Sequence, residues 1–386
     1  MRLPRRLTAS VAASTLVVAA LAGCDSDNES GDTTDIVIGA DLASGSAVDS
    51  AYARAMQLKV EQINAAGTLG NKRLVLRIQD NRSDPTSSLR NISTFADDPA
   101  VAAVIAGFCG ECAVGAAKPI NDKLIPTIAL AAADEVSNPV LSRRYLFKLG
   151  PNATDSAAAL VAELTRTNTK NVALLYSDDL YGRGGKATMA ADLKKAGITV
   201  TNSLPIKPTA TDITQSVGTL TDAQPEALVV WAGNDQATLA ATSAKAANFE
   251  GRIYFDAAAG GDLFLPQEAA TATNNTTMVF TQILAIEDVI ATTPAKAARK
   301  QWFRDYTSRY GSYSGVAAFA ADAVELIAEA VGKAGADRQR IRDVLETSQT
   351  DGLSGPIRFT PDNHSGLMPQ AMTLLVARSG RWRLLS

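Results

Sequence analysis

The sequence predicts an α/β chain folded as two doubly wound, Rossmann-like lobes joined by a multi-strand hinge. Three observations carry that expectation. Short apolar runs rich in β-branched residues alternate with alanine-rich helical stretches, the pattern of parallel strands buried on both faces. The series closes near residue 150 and begins again at residue 171. At 386 residues, with 46% hydrophobic and 20% charged, the chain is globular and too long for one ordinary core.

The elements follow in order. "DIVIGA" from Asp35 is a strand, and Tyr52, Met56, Val60 and Ile63 then recur at helical spacing from about Val48 to Ala65. "RLVLRIQD" is a strand, and Leu89, Ile92 and Phe95 suit a helix in the segment after it. "VAAVIAG", "IPTIAL" and "YLFKLG" are strands, with a helix over "AVGAAKPINDKL". The second series runs "NVALLYS", "ITVTNSLPI", "PEALVVWAG", "GRIYFDA" and "TTMVFTQ" as strands. Helices separate the first four of them, one of which ends at Gly197. Long helices are expected at about 294–310 and 315–334, a shorter one at 337–348, and antiparallel strands and turns from 355 to the end.

Two such series mean two crevices, each at the carboxyl ends of its strands. No Pro-, Gly- or Ser-rich linker separates them, so several backbone crossings, near 150–153, 281–285 and 349–353, are expected to hinge the halves. The expected division is 1–23 as an export signal, 24–34 as a tether, 35–150 with 285–350 as the first lobe, and 151–284 with 351–386 as the second.

The opening segment has a basic start (Arg2, Arg5, Arg6), an apolar run from Ala9 to Ala22, and small residues leading into Cys24. The run is short of the roughly 20 residues that span a bilayer. "Leu21-Ala22-Gly23-Cys24" resembles a bacterial lipobox, which implies a lipid on Cys24. "DSDNESGDTTD" after it is polar and acidic and suits a flexible tether. The expected location is therefore extracytoplasmic, lipid-anchored to the cell membrane. A formal net charge of −3 makes no case for nucleic acid.

Cys109 and Cys112 stand in "AGFCGECAVG". Zinc would need two further ligands, and His364 is the sole histidine. Three readings stay open: a structural disulfide or quiet thiol pair, a pair that also shapes a ligand loop, and a redox couple. "GRGGK" lacks the spacing of a phosphate loop. Asp80, Asn81 and Asp84 read as Asx-rich turns before proline and not as a calcium site. His364 has no nucleophile motif beside it. No metal or cofactor is expected, and no enzymatic activity.

The residues resemble the type I periplasmic binding proteins, in the branched-chain amino-acid receptor branch. The likeness is carried by "IVIGADLASG", "INAAGTLGNKRLVLRIQDNRSDP", "VAAVIAGFCGECAVGAAKPINDKLIPTIAL", "LYSDDLYGRGGKATMAADLKKAGITV", "SGPIRFTPDNHSG" and "GRWRLL", in that order. It implies a solute receptor of an ABC importer, closing two lobes on its ligand and delivering it to a membrane permease. The solute expected is an amino acid or a similar amide or amine, and the receptor a monomer.

The resemblance also implies site residues. Gly110, Glu111 and Cys112 fall in a loop that holds the ligand's carboxylate, where relatives commonly have serine. Glu111 there either repels an anionic ligand and favours a cationic or hydrogen-bond-donating one, or faces solvent and interacts with the helix end. Ala132, Ala133 and Asp134 match a second carboxylate-binding segment. Tyr181 falls where an aromatic caps the ligand, and Asn234 at the rim. Ala258, with Asp256 beside it, falls where an acidic residue pairs with the ligand's amino group. Ser44 and Ser46 occupy the first loop. Rival readings are a sensory ectodomain on the same fold and a thiol oxidoreductase using Cys109 and Cys112.

Overall fold

The computed structural model describes residues 33–385 apart from 264 and 266; Cys24 and the expected export signal lie outside the described residues. The first lobe is built on β1 (Thr34–Leu42), α1 (Ala47–Ala66), β2 (Lys72–Asp80), α2 (Pro85–Asp97), β3 (Val101–Ala106), α3 (Gly110–Gly115), α4 (Ala117–Asp122), β4 (Thr127–Ala129) and β5 (Leu146–Lys148). Its strands form one parallel sheet in the order β2-β1-β3-β4-β5. Every residue of β3 is buried, as its unbroken apolar run requires.

The second lobe follows with α5 (Ala153–Arg166), β6 (Asn171–Ser177), α6 (Leu180–Lys195), β7 (Thr199–Ile206), α7 (Thr214–Thr221), β8 (Ala227–Trp231), α8 (Asn234–Ala246), β9 (Arg252–Phe255), α9 (Gln267–Ala272) and β10 (Thr277–Thr281). The chain then runs through α10 (Pro294–Tyr310), α11 (Ala317–Ala334) and α12 (Arg338–Leu345). These helices belong to the first lobe: α11 packs on α1, and the Glu61 carboxylate of α1 pairs with Arg309 of α10. A short hairpin follows, β11 (Gln349–Asp351) and β12 (Pro356–Arg358). Two last strands, β13 (Met372–Arg378) and β14 (Arg381–Leu384), return antiparallel to the second sheet, ordered β14-β13-β10-β9-β8-β6-β7.

The hinge is sewn where β5 leaves the first lobe. Lys148 N–H donates to His364 O, and Gly366 N–H donates to Lys148 O, each at 2.8 Å. His364 is fully buried, its ring stacked 4.3 Å from Phe147 and its Nε2 3.2 Å from a Glu346 carboxylate oxygen. The lone histidine is thus a structural fastener. Among the described residues, no helix is long and apolar enough to cross a membrane.

The structure departs from the sequence reading in three places. Residues 153–166 form a helix in a stretch, between the crossing expected near 150–153 and the strand at 171, for which no element was expected. The single helix expected over 113–124 is two short ones, meeting at Ala116. Strand structure between 355 and 366 is confined to Pro356–Arg358.

Candidate functional site

Strand order dictates where the site lies. In the first sheet β1 sits between β2 and β3, and in the second β6 sits between β7 and β8. At each such reversal the loops part and open a crevice at the carboxyl ends of the strands. The parting loops are 43–46 and 107–109 in the first lobe, and 178–179 and 232–233 in the second.

In the first lobe, Ser46 caps α1, its Oγ accepting from Asp49 N–H at 3.2 Å. Ser44 turns outward, its N–H and Oγ donating to the Asp80 carboxylate at 3.1 and 2.7 Å. Asp49 itself was missed by sequence reasoning. Its buried carboxylate accepts from Ala43 N–H at 2.7 Å and Phe108 N–H at 2.9 Å, tying the two crevice loops together. Burial outweighs both hydrogen bonds and pushes its pKa up to about 6. A side chain at Gly107 would come within 2.7 Å of that carboxylate, which explains the glycine there.

The loop after β3 carries the cysteines. Cys109 and Cys112 are joined by a disulfide across the first turn of α3, with Cα atoms 5.2 Å apart. Gly110 lets this turn lie flat on the next loop: a Cβ there would be 3.2 Å from the Ala133 side chain. Ala132 and Ala133 are buried, and Ala132 O accepts from the Lys148 ammonium at 3.1 Å. Asp134 stands 3.5 Å from the same ammonium.

The second lobe repeats the device with Asp256. Fully buried, its carboxylate accepts from Ala232 N–H at 3.1 Å and from Ala258 N–H at 3.0 Å. The Tyr181 hydroxyl donates to the same carboxylate. Three elements (the loops after β8 and β9, and α6) thus meet on one group. Burial is the main cause of an Asp256 pKa pushed up to about 7, and it lifts the Tyr181 hydroxyl well above its ordinary range. Ala258 offers only backbone, already bonded to Asp256. Asn234 at the rim donates to Ala259 O at 2.9 Å.

One bond crosses between the crevices. Glu111 Oε1 accepts from Leu180 N–H at 2.6 Å, so a first-lobe carboxylate caps the amino end of α6. Leu180 and Tyr181 also pack against the apolar cluster of the first lobe that includes Ala113, Ala131 and Ala133. The structure therefore brings Glu111 of one lobe up to Leu180 of the other, and the cluster holding Ala133 up to Tyr181, with Asp256 behind it; Gly110 and Cys112 belong to the same turn as Glu111. Ser44, Ser46 and Asn234 serve their own lobes. Asp134 faces elsewhere, on a separate cavity of about 570 Å³ at the hinge.

Two sequence signals pointed at the residues that were missed. "Ser46-Ala47-Val48-Asp49" has the spacing of a capping box, with Asp49 reaching neighbouring loops instead of the cap's own backbone. Lys148 is a charge inside the otherwise apolar "YLFKLG"; it is fully buried, and burial lowers its pKa.

Known proteins agree with this architecture. An extracellular ligand-binding receptor from Rhodopseudomonas palustris superposes with a TM-score of 0.82 at 20% identity, covering 91% of this chain and 99% of that one. A leucine binding protein from Thermotoga maritima gives 0.78 at 17% identity, covering 92% and 98%. The substrate-binding protein of a branched-chain amino acid transporter from Streptococcus pneumoniae, in complex with isoleucine, gives 0.78 at 20%, covering 91% and 99%. At these identities the likeness speaks for the fold. The sequence profile of the family described as periplasmic binding protein matches residues 37–381. With that match over nearly the whole described chain, and two lobes whose crevices face one another, the chain belongs to the periplasmic binding protein family, in its type I form.

Proposed function

We propose that the chain is the solute receptor of an ABC importer, anchored outside the cell by lipid on Cys24, and that it captures a small amino-acid-like solute between its lobes. The observation that carries this reading is the meeting of Glu111 with Leu180, which sets the loops at the carboxyl ends of the two sheets against each other. A solute lodged there touches both lobes and so favours the closed form, which a permease can read. A ligand held by one lobe alone leaves the balance unchanged.

The lining narrows the chemistry. Ala131, Ala133 and the ring of Tyr181 form one apolar cluster between the lobes, and Glu111 places a carboxylate beside it. An ammonium, amide or other donor group on an apolar body complements that lining better than a bare anion. The relatives that bind leucine and isoleucine, by their descriptions, support the amino-acid class.

Isothermal titration against amino acids, amides, amines and short peptides tests the reading. Heat from at least one class, with the crevice's share of it lost on Tyr181→Ala, is the expected result, and silence across the panel would reject it. The anchor is tested separately: labelled palmitate should enter the protein, and Cys24→Ala should release it from membranes.

A further inference from the structure

The hinge-side cavity has a different lining and a different position from the crevice. Its volume, about 570 Å³, lies in the range of small-molecule sites. Three backbone segments wall it: Asp134 and Asn138 from the first lobe, Thr154 and Asp155 from the start of α5 in the second, and residues 358–369 on their way back to the second sheet. Cavities at domain junctions are where ligand sites concentrate.

The charges in it are incompletely matched. Asp155 accepts from the Asn152 amide at 2.9 Å and makes no direct ion pair among the described residues, the Lys148 ammonium acting on it only at longer range. Arg358 stands exposed at the rim, its guanidinium without a carboxylate partner among the described residues. Asp134 is already partly neutralised by the Lys148 ammonium. Leu367, Met368 and Pro369 supply an apolar flank.

We propose that this cavity is a second small-molecule site, taking a zwitterion with a short apolar body, its ammonium toward Asp155 and its carboxylate toward Arg358. A carboxylate meets a guanidinium in two parallel hydrogen bonds, which fixes its orientation as well as its affinity. The wall also moves with the lobes, because Asp134 and Asp155 belong to different ones. Occupancy therefore weights the hinge toward the spacing that the ligand fits. Lys148 links this wall to the crevice, bonding Asn152 Oδ1 at 2.8 Å on one side and Ala132 O at 3.1 Å on the other.

The test uses L-leucine as probe in equilibrium dialysis on the Tyr181→Ala chain, whose crevice is disabled. One equivalent of leucine is expected to remain bound. Adding Arg358→Ala or Asp155→Asn should weaken it about tenfold or more, as loss of a charge-assisted bond implies. Leucinamide, which lacks the carboxylate, should bind more weakly and respond little to Arg358→Ala. Both substituted side chains lie at the cavity rim, and thermal melts matching the parent exclude a folding defect. Absence of leucine binding to the Tyr181→Ala chain, or binding that both substitutions leave unchanged, overturns the proposal. Should Tyr181→Ala alone leave total binding as in the parent while Arg358→Ala abolishes it, the crevice reading falls and the hinge site stands.

Discussion

Glu111 and Leu180 belong to different lobes, and the 2.6 Å bond from Leu180 N–H to the Glu111 carboxylate joins them. The bond satisfies one of the free N–H groups at the start of α6 and sets a negative charge against the positive end of that helix. The sequence reading set a ligand-selecting role for Glu111 against a solvent-facing contact with the end of its own helix; the bond formed is to the amino end of α6. The helix belongs to the opposite lobe, so the contact is a latch.

Removing the latch should open the receptor. Glu111→Ala deletes a hydrogen bond to a charged group, and at a partly exposed site about 1 kcal/mol is a reasonable expectation. That amount shifts the open-to-closed ratio roughly fivefold. Glu111→Gln keeps an acceptor and should lie between the two. Small-angle scattering of the solute-free protein reads the change as a larger radius of gyration. Identical scattering from all three would mean that the bond does not govern closure.

The strands were legible because β3, β8 and β10 are buried end to end, and such runs announce parallel sheets. The helix α5 was not, because Ser156 and Glu163 lie on its buried face and interrupt the apolar stripe made by Ala157, Leu160 and Leu164. At the site, Tyr181 and Glu111 were found through family resemblance. Asp49 and Leu180 were not, since their roles depend on backbone N–H groups that only the folded loops bring near. Asp256 drew notice as a possible ligand partner, and its buried bonds show it bracing the loops.

Asp49 offers a test of that bracing. Its two oxygens each accept a backbone N–H, and an asparagine has only one acceptor to offer them. Asp49→Asn should therefore leave one buried N–H opposed by an amide donor, costing about 1–3 kcal/mol. Chemical denaturation should show that loss, and hydrogen exchange should speed up at Ala43 and Phe108 ahead of the sheet. Unaltered protection at both amides would show that the carboxylate does not hold the loops.

Two of the three glycines of "GRGGK" have a packing explanation. A Cβ on Gly185 would lie 1.9 Å from the Trp231 indole nitrogen, and one on Gly182 would lie 2.0 Å from Ser177 O. Glycine here lets α6 settle onto its sheet. Gly185→Ala should destabilise by about 1–3 kcal/mol despite the better helix propensity of alanine. Gly218, in α7, has nothing within 4 Å of its would-be Cβ. Gly218→Ala should instead stabilise by about 0.5–1 kcal/mol. Denaturation midpoints that move the same way in both would contradict the close-packing account.

Stability should also depend on pH through Asp256. Its native pKa of about 7 stands above the ordinary value of 3.8, and burial is the leading cause. Between those values the native state keeps a proton that the unfolded chain has released. The contribution is complete below about pH 4 and is lost as pH rises through 7, with a limiting slope of about 1.4 kcal/mol per pH unit. Asp49, raised to about 6, acts in the same direction. Comparing wild type with Asp256→Asn isolates the first group, because the substitution leaves Asp49 in place. Asparagine can still accept from the Tyr181 hydroxyl, so the variant should fold. Its unfolding free energy, measured by urea from pH 5 to 8, should fall less steeply than that of the wild type, and the two curves should cross toward the alkaline end. Parallel curves would place the titrating proton on another residue.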